Sequence, residues 1–343
     1  MKTGNAVSST AVAAGLIFAI FIVTLSMVVG FGLFSQAPGT AAGQVNVTHG
    51  HPIIIGGSTT IQPVSELISR AYMSQNPGVS LIIEGGGSGA GIQNAASGEF
   101  DIGSASRALE TGEKTSYPSL RTYQIGGSAI VVIASRDFPI TSISFEELQL
   151  LYNEKSDDIR SQPDISDVGT VVQRSDDSGT AEVFAQWLFG STLKNVHQSL
   201  NATDTSNEGK VSQIQANGNA GVLKAVKENP HAIGFVDFGF AEADTGVRIL
   251  SISDKGSTRP LPQNMDTIHN AILYQLVLHD GTNHDYIDKL TRPLLYITNG
   301  TPTSDEQKYI AFSQSPESKK YFDEVGYFSI SEITGSGNMT GSV

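Results

Sequence analysis

Hydrophobic positions along the chain fall into two alternating patterns. Residues 52–55 (PIII), 79–83 (VSLII), 128–134 (SAIVVIA), 169–173 (GTVVQ), 232–236 (AIGFV), 272–278 (ILYQLVL) and 294–297 (LLYI) are short apolar runs with the length and β-branched content of buried strands. Between them, residues 63–72 space Leu67, Ile68 and Ala71 for one helix face, and residues 143–152 open with Ser144 followed three positions later by Glu147, a reciprocal helix cap. Residues 92–97, 181–188, 304–312 and 317–325 also read as helical, as do 212–226 with interruptions at Gly218 and Gly221. Residues 100–107 predict a short strand running into a loop, and 331–343 a flexible tail. Such alternation predicts an α/β fold with a mostly parallel sheet covered by helices. Ligands of such sheets bind beyond the carboxyl ends of the strands.

Three of the predicted strand-to-helix turns carry glycine together with hydroxyls. Gly56-Gly57-Ser58-Thr59-Thr60 follows the first strand, residues 85–91 (GGGSGAG) the second, and residues 174–180 (RSDDSGT) the 169–173 run. The first backbone N–H groups of a helix have no partner within it and carry the positive end of its dipole, so such a turn is an anion socket. Taken singly, Ser178 or Thr180 reads as an ordinary N-cap. The threefold repetition, and the guanidinium of Arg174 in the third turn, favour a ligand.

Charge and compartment narrow the choice. The net charge is -13, which argues against a basic nucleic-acid or anionic-membrane surface, so a bound anion must be held by local donors. There is no cysteine, which excludes disulfides, thiolate metal sites and a cysteine nucleophile. Residues 11–34 are uncharged and long enough to cross a bilayer, and exceed the usual apolar core of a signal peptide. They predict a membrane anchor, or an uncleaved signal, after a short cytoplasmic N-terminus (1–10). Residues 35–51, rich in Gly, Ala, Thr and Gln, predict a flexible tether holding the remaining chain outside the cytoplasm.

Residues 57–63 (GSTTIQP), 86–92 (GGSGAGI), 100–107 (FDIGSASR), 141–148 (TSISFEEL), 174–180 (RSDDSGT), 232–236 (AIGFV) and 291–296 (TRPLLY) together resemble, in order, the phosphate-binding proteins of Pst-type phosphate ABC importers. The resemblance covers about residues 52–330. It implies a two-lobed, periplasmic-binding-protein-like α/β fold with a hinge, lobe 1 comprising 52–130 and 265–330 and lobe 2 comprising 131–264. It further implies that phosphate is held by Thr59, Thr60, Ser88, Arg174, Ser178, Gly179 and Thr180, with Asp101 as the carboxylate that accepts the proton of hydrogenphosphate and repels unprotonated sulfate. Asp176 would aim Arg174, and Ser106 and Arg107 are supporting positions. The implied partners are inorganic phosphate and ABC permease subunits, for a monomeric receptor that binds no nucleic acid and needs neither metal nor cofactor.

Two other classes stay in view. Residues 86–90 (GGSGA) approach a serine-hydrolase elbow, but no histidine stands in a recognisable triad setting, so an enzyme is not expected. The dinucleotide fingerprint at 85–90 has only Glu110 as its acid, in a loop with no preceding strand. The remaining alternatives are a surface or adhesion protein that kept the fold and lost the ligand, and a phosphate-ester hydrolase using Ser88 or Ser178 as nucleophile, for which the sequence shows neither a general base nor a metal cluster.

Overall fold

Strand β1 (Ile53–Gly57) leads through a tight turn into α1 (Gln62–Gln75), β2 (Leu81–Glu84) into α2 (Ser88–Ser97), and β3 (Ile102–Ala105) into the short α3 (Thr111–Ser116). The computed structural model describes residues 51–152, 162–176, 178–190, 211–274 and 286–335. The expected anchor at 11–34 and, except for His51, the tether lie outside them. Among the described residues no helix is long and apolar enough to cross a membrane.

After α3 the chain runs through the sixteen-residue β4 (Leu120–Ser135), then β5 (Ser142–Ser144), α4 (Phe145–Tyr152), β6 (Thr170–Arg174), α5 (Gly179–Phe189), β7 (Ser212–Ala216), α6 (Gly218–Glu228), β8 (Ala232–Asp237) and α7 (Phe238–Glu242). It continues with β9 (Val247–Ile249), β10 (Ser251–Ser253), α8 (Met265–Ile272), β11 (Thr291–Asn299), α9 (Ser304–Gln314), α10 (Lys319–Glu324), β12 (Phe328–Ser329) and α11 (Ile330–Ile333). α4 begins with the predicted reciprocal cap: Ser144 N donates to Glu147 Oε2 (2.7 Å) and Glu147 N to Ser144 Oγ (3.2 Å).

β4 organises two α/β lobes. Its first part, Leu120 to Ala129, pairs with β11, and its second, Ile130 to Ala134, with β8, so partners are exchanged between Ala129 and Ile130. The sheet order is β2-β1-β3-β11-β4-β8-β6-β7. From Ala129 to Ala134 every residue is fully buried, and each buried Ile or Val contributes about 1.5–3 kcal/mol of hydrophobic stabilisation. Burial on both faces explains why this strand reads as a continuous apolar run.

The flanks of the sheet are parallel, as expected, but the centre is antiparallel: β11 opposes both β3 and β4, and β4 opposes β8. The reason is connectivity, since the chain crosses between lobes along β4 and returns along β11. β1 and β3 therefore run with β4, while β6, β7 and β8 run against it. The carboxyl ends of the two parallel sets converge where β4 changes partners.

Four local expectations change. Residues 212–216 form β7, and the helix begins only at Gly218, whose φ of +69° suits glycine at the turn. Ile272 ends α8 instead of opening a strand, because the Asn264–Thr267 capping box starts a helix just upstream; residues 275–278 lie outside the described residues. Ile268, Ala271, Ile272, Tyr286 and Leu290 share the buried cluster of β6, β8 and the second part of β4, so α8 and residues 286–290 pack with lobe 2, and the return to lobe 1 begins at Thr291. Of the expected tail 331–343, residues 331–333 belong to α11, and 336–343 lie outside the described residues.

Candidate anion-binding site

The three glycine and hydroxyl turns meet at the convergent strand ends. After β1, Gly57 has φ +127°, and a Cβ there would stand 2.4 Å from Ser104 O and 2.5 Å from Gly91 Cα, so only glycine lets α2 lie this close to β1 and β3. Ser88 begins α2, and its Oγ accepts from Ser106 N (3.0 Å) and lies 3.4 Å from Ser106 Oγ. Across the cleft, Ser178 is the N-cap of α5, its Oγ accepting from Ala181 N (3.2 Å). Capping and a place in the socket are thus compatible in one residue. Gly179 packs directly on Ser88.

Arg174, 1% exposed at the end of β6, is held by three partners. Its Nε and Nη2 donate to the two carboxylate oxygens of Asp176 (2.8 and 2.5 Å), Nη1 donates to Asn219 Oδ1 (3.1 Å), and Nη2 also to Thr59 Oγ1 (2.9 Å) in the opposite lobe. Burial by itself raises the Asp176 pKa, but the Arg174 hydrogen bonds and charge, with Gly218 N, outweigh it and hold the carboxyl below its ordinary value. Asn219 Nδ2 donates to Thr60 Oγ1 (3.0 Å), a second bond across the cleft.

The centre of the cluster contains two residues absent from the sequence expectation. Arg292, fully buried on β11, donates from Nη1 to Thr180 Oγ1 (2.7 Å) and Ser106 Oγ (3.2 Å), and from Nη2 to Thr60 Oγ1 (3.0 Å) and Asp237 Oδ2 (2.5 Å). Asp237, fully buried at the end of β8, also accepts from Ser128 Oγ and Gly239 N. Its charge adds to burial in raising the pKa values of Tyr286 and Tyr327. The only sequence signals were a charged residue inside the apolar stretch 291–296 and an acid directly after a buried strand.

Thr59, Thr60, Ser88, Ser106, Arg174, Asp176, Ser178, Gly179 and Thr180 are therefore brought together. Asp101 is not. It is exposed at the start of β3, where its Oδ2 accepts from Ile54 N (2.8 Å). Five residues of extended chain, about 16 Å, separate it from Ser106 at the other end of the strand. Arg107 turns aside as well: its Nη1 and Nη2 donate to Glu113 (2.7 and 2.8 Å), and it pairs with Glu182 of the opposite lobe.

A family model described as the PBP superfamily domain matches residues 35–317. The chain belongs to this superfamily. As a PBP-superfamily protein, it is 25% identical over 254 residues to a phosphate-binding protein PstS of Borreliella burgdorferi, covering 73% of this chain and 85% of that one. It is also 24% identical over 215 residues to a phosphate-binding protein PstS of Bacillus subtilis, covering 63% of this chain and 65% of that one, just under two thirds of the relative's length. A Clostridium perfringens substrate-binding protein solved with bound phosphate superposes with a TM-score of 0.61 at 24% identity, over 81% of this chain and 99% of that one. That likeness establishes the fold.

Proposed function

We propose that this protein is a phosphate receptor of an ABC importer, which closes its two lobes on hydrogenphosphate. The observation that carries the reading is the convergence of two buried guanidiniums, Arg174 and Arg292, with the hydroxyls of Thr59, Thr60, Ser88, Ser106 and Thr180 at the N-terminus of α5. The anion would take hydrogen bonds from these groups and from the backbone N–H groups of Gly179 and Thr180. The relatives named PstS support phosphate as the ion.

Asp237 takes the role that the resemblance gave to Asp101. Its Oδ1 accepts from Gly239 N (3.1 Å), and a carboxylate oxygen can accept a further hydrogen bond, here the proton of hydrogenphosphate, whereas sulfate near neutral pH has no proton to offer. Each arginine has its own carboxylate, so an entering anion is held by hydrogen bonds rather than by surplus positive charge. The receptor acts as a monomer without catalysis, its lobes outside the cytoplasm on the tether of 35–51 and the anchor of 11–34, handing phosphate to permease subunits.

Calorimetric titration of the full chain with phosphate and then sulfate at neutral pH tests the reading. Phosphate heat without sulfate heat is expected. Binding of both would remove the role of Asp237, and silence from both would return the protein to the ligand-free surface class.

A further inference from the structure

Beside the anion cluster runs a groove of about 1120 Å³, between α5 and the segment after β3, with Leu109, Phe145, Gln186 and Trp187 in its lining. It is wide enough for the organic part of a phosphate ester and offers that part both apolar and polar contacts. Arg292 lines the groove and also donates to the hydroxyls of the cluster, so the two spaces share a wall.

Arg107 and Glu182 complete that wall. Arg107 follows Ser106, and Glu182 lies two positions beyond Thr180, so each stands next to a hydroxyl that accepts from the same Arg292 nitrogen. The two side chains are only 7% and 14% exposed, pair across the cleft, and both line the groove. Glu113 holds the other side of the Arg107 guanidinium in a bidentate contact and fixes its direction.

We propose that the Arg107–Glu182 pair is a specificity gate, which closes the anion cluster off from the groove and restricts the ligand to the free inorganic ion. An ester carries on one phosphate oxygen a substituent that must leave the cluster. The groove shares a wall with the cluster and has room for it, and the ion pair stands in that wall. The inference rests on the phosphate reading above and goes beyond it, because it names the ligands refused and the residues that refuse them.

The test compares inorganic phosphate and phenyl phosphate on the full chain and on two variants, Glu182→Ala and Arg107→Ala/Glu182→Ala. The double variant leaves no buried charge of the pair behind, and phosphate binding reports that each variant is folded. The wild type should bind phosphate with no response to phenyl phosphate, while either variant should gain at least tenfold in phenyl phosphate affinity and keep phosphate binding within about tenfold. Variants that bind phosphate and refuse the ester as the wild type does would overturn the gate, as would a wild type that accepts the ester. A wild type that binds neither ligand would instead refute the phosphate reading on which the gate depends.

Discussion

Arg292 and Ser128 face each other across the β11–β4 ladder and both donate to one carboxylate oxygen, Oδ2 of Asp237. The register of two strands thus fixes two donors on a single buried acceptor contributed by a third strand. Arg292 and Asp237 are both fully buried, so each depends on the other for neutralisation.

Asp237→Asn should therefore lower the stability of the protein by roughly 3–5 kcal/mol, the usual cost of leaving one member of a buried ion pair unmatched. Urea denaturation measures it. Combining it with Arg292→Gln should cost less than the sum of the two single changes, and strict additivity would show that the pair is not coupled.

Arg174→Lys should weaken phosphate binding at least tenfold by calorimetry. An ammonium cannot bridge both oxygens of Asp176 while also reaching Asn219 and Thr59, as the guanidinium does. Retained affinity would mean that charge alone suffices at this position.

Gly179→Ala should separate binding from folding. A Cβ at Gly179 would stand 2.4 Å from Ser88 Oγ and 3.0 Å from Ser88 Cβ, in the opposite lobe. The added methyl acts as a wedge between the lobes and leaves each core untouched. Phosphate affinity should fall more than tenfold, with a thermal midpoint near that of the wild type; a large drop in the midpoint would place the collision within one lobe.

Stability should fall in acid through Asp176 and Glu113. Both carboxyls lie below their ordinary values of 3.8 and 4.5, because arginine contacts outweigh the opposing effect of burial. A depressed folded-state pKa contributes stability that is complete above the unfolded value and lost as pH falls through the folded one. The loss due to these two groups should begin near pH 4.5 and deepen below 3.8. Denaturation midpoints followed across that interval should show a shallower acid slope in Asp176→Asn than in the wild type.

The three turns were legible in the sequence because each combines a local conformational need, glycine, with a local donor, hydroxyl, in a short contiguous segment. The Arg174–Asp176 pair was legible for the same reason, its members being two positions apart. Arg292 and Asp237 were not, since they are brought together only by the antiparallel crossing of β4 and β11, which no local pattern encodes. Asp101 shows the converse: a motif segment can match along its length while its first and last residues lie at opposite ends of a strand. The direction of β3 alone puts Ser106 at the cleft and Asp101 at the far edge.

Because β4 passes through both lobes, it would also determine which bonds persist if they part. A rotation about the point between Ala129 and Ile130 displaces each atom in proportion to its distance from that pivot. Ser128, Asp237 and Arg292 lie beside it on β4, β8 and β11, whereas Thr59, Ser88 and Arg174 follow strands farther out in the sheet. The Arg292–Asp237 pair, fully buried beside that point, would therefore be displaced least. Thr59, Ser88 and Arg174 are displaced most, so the hydration of these outer donors would change most between an open and a closed state.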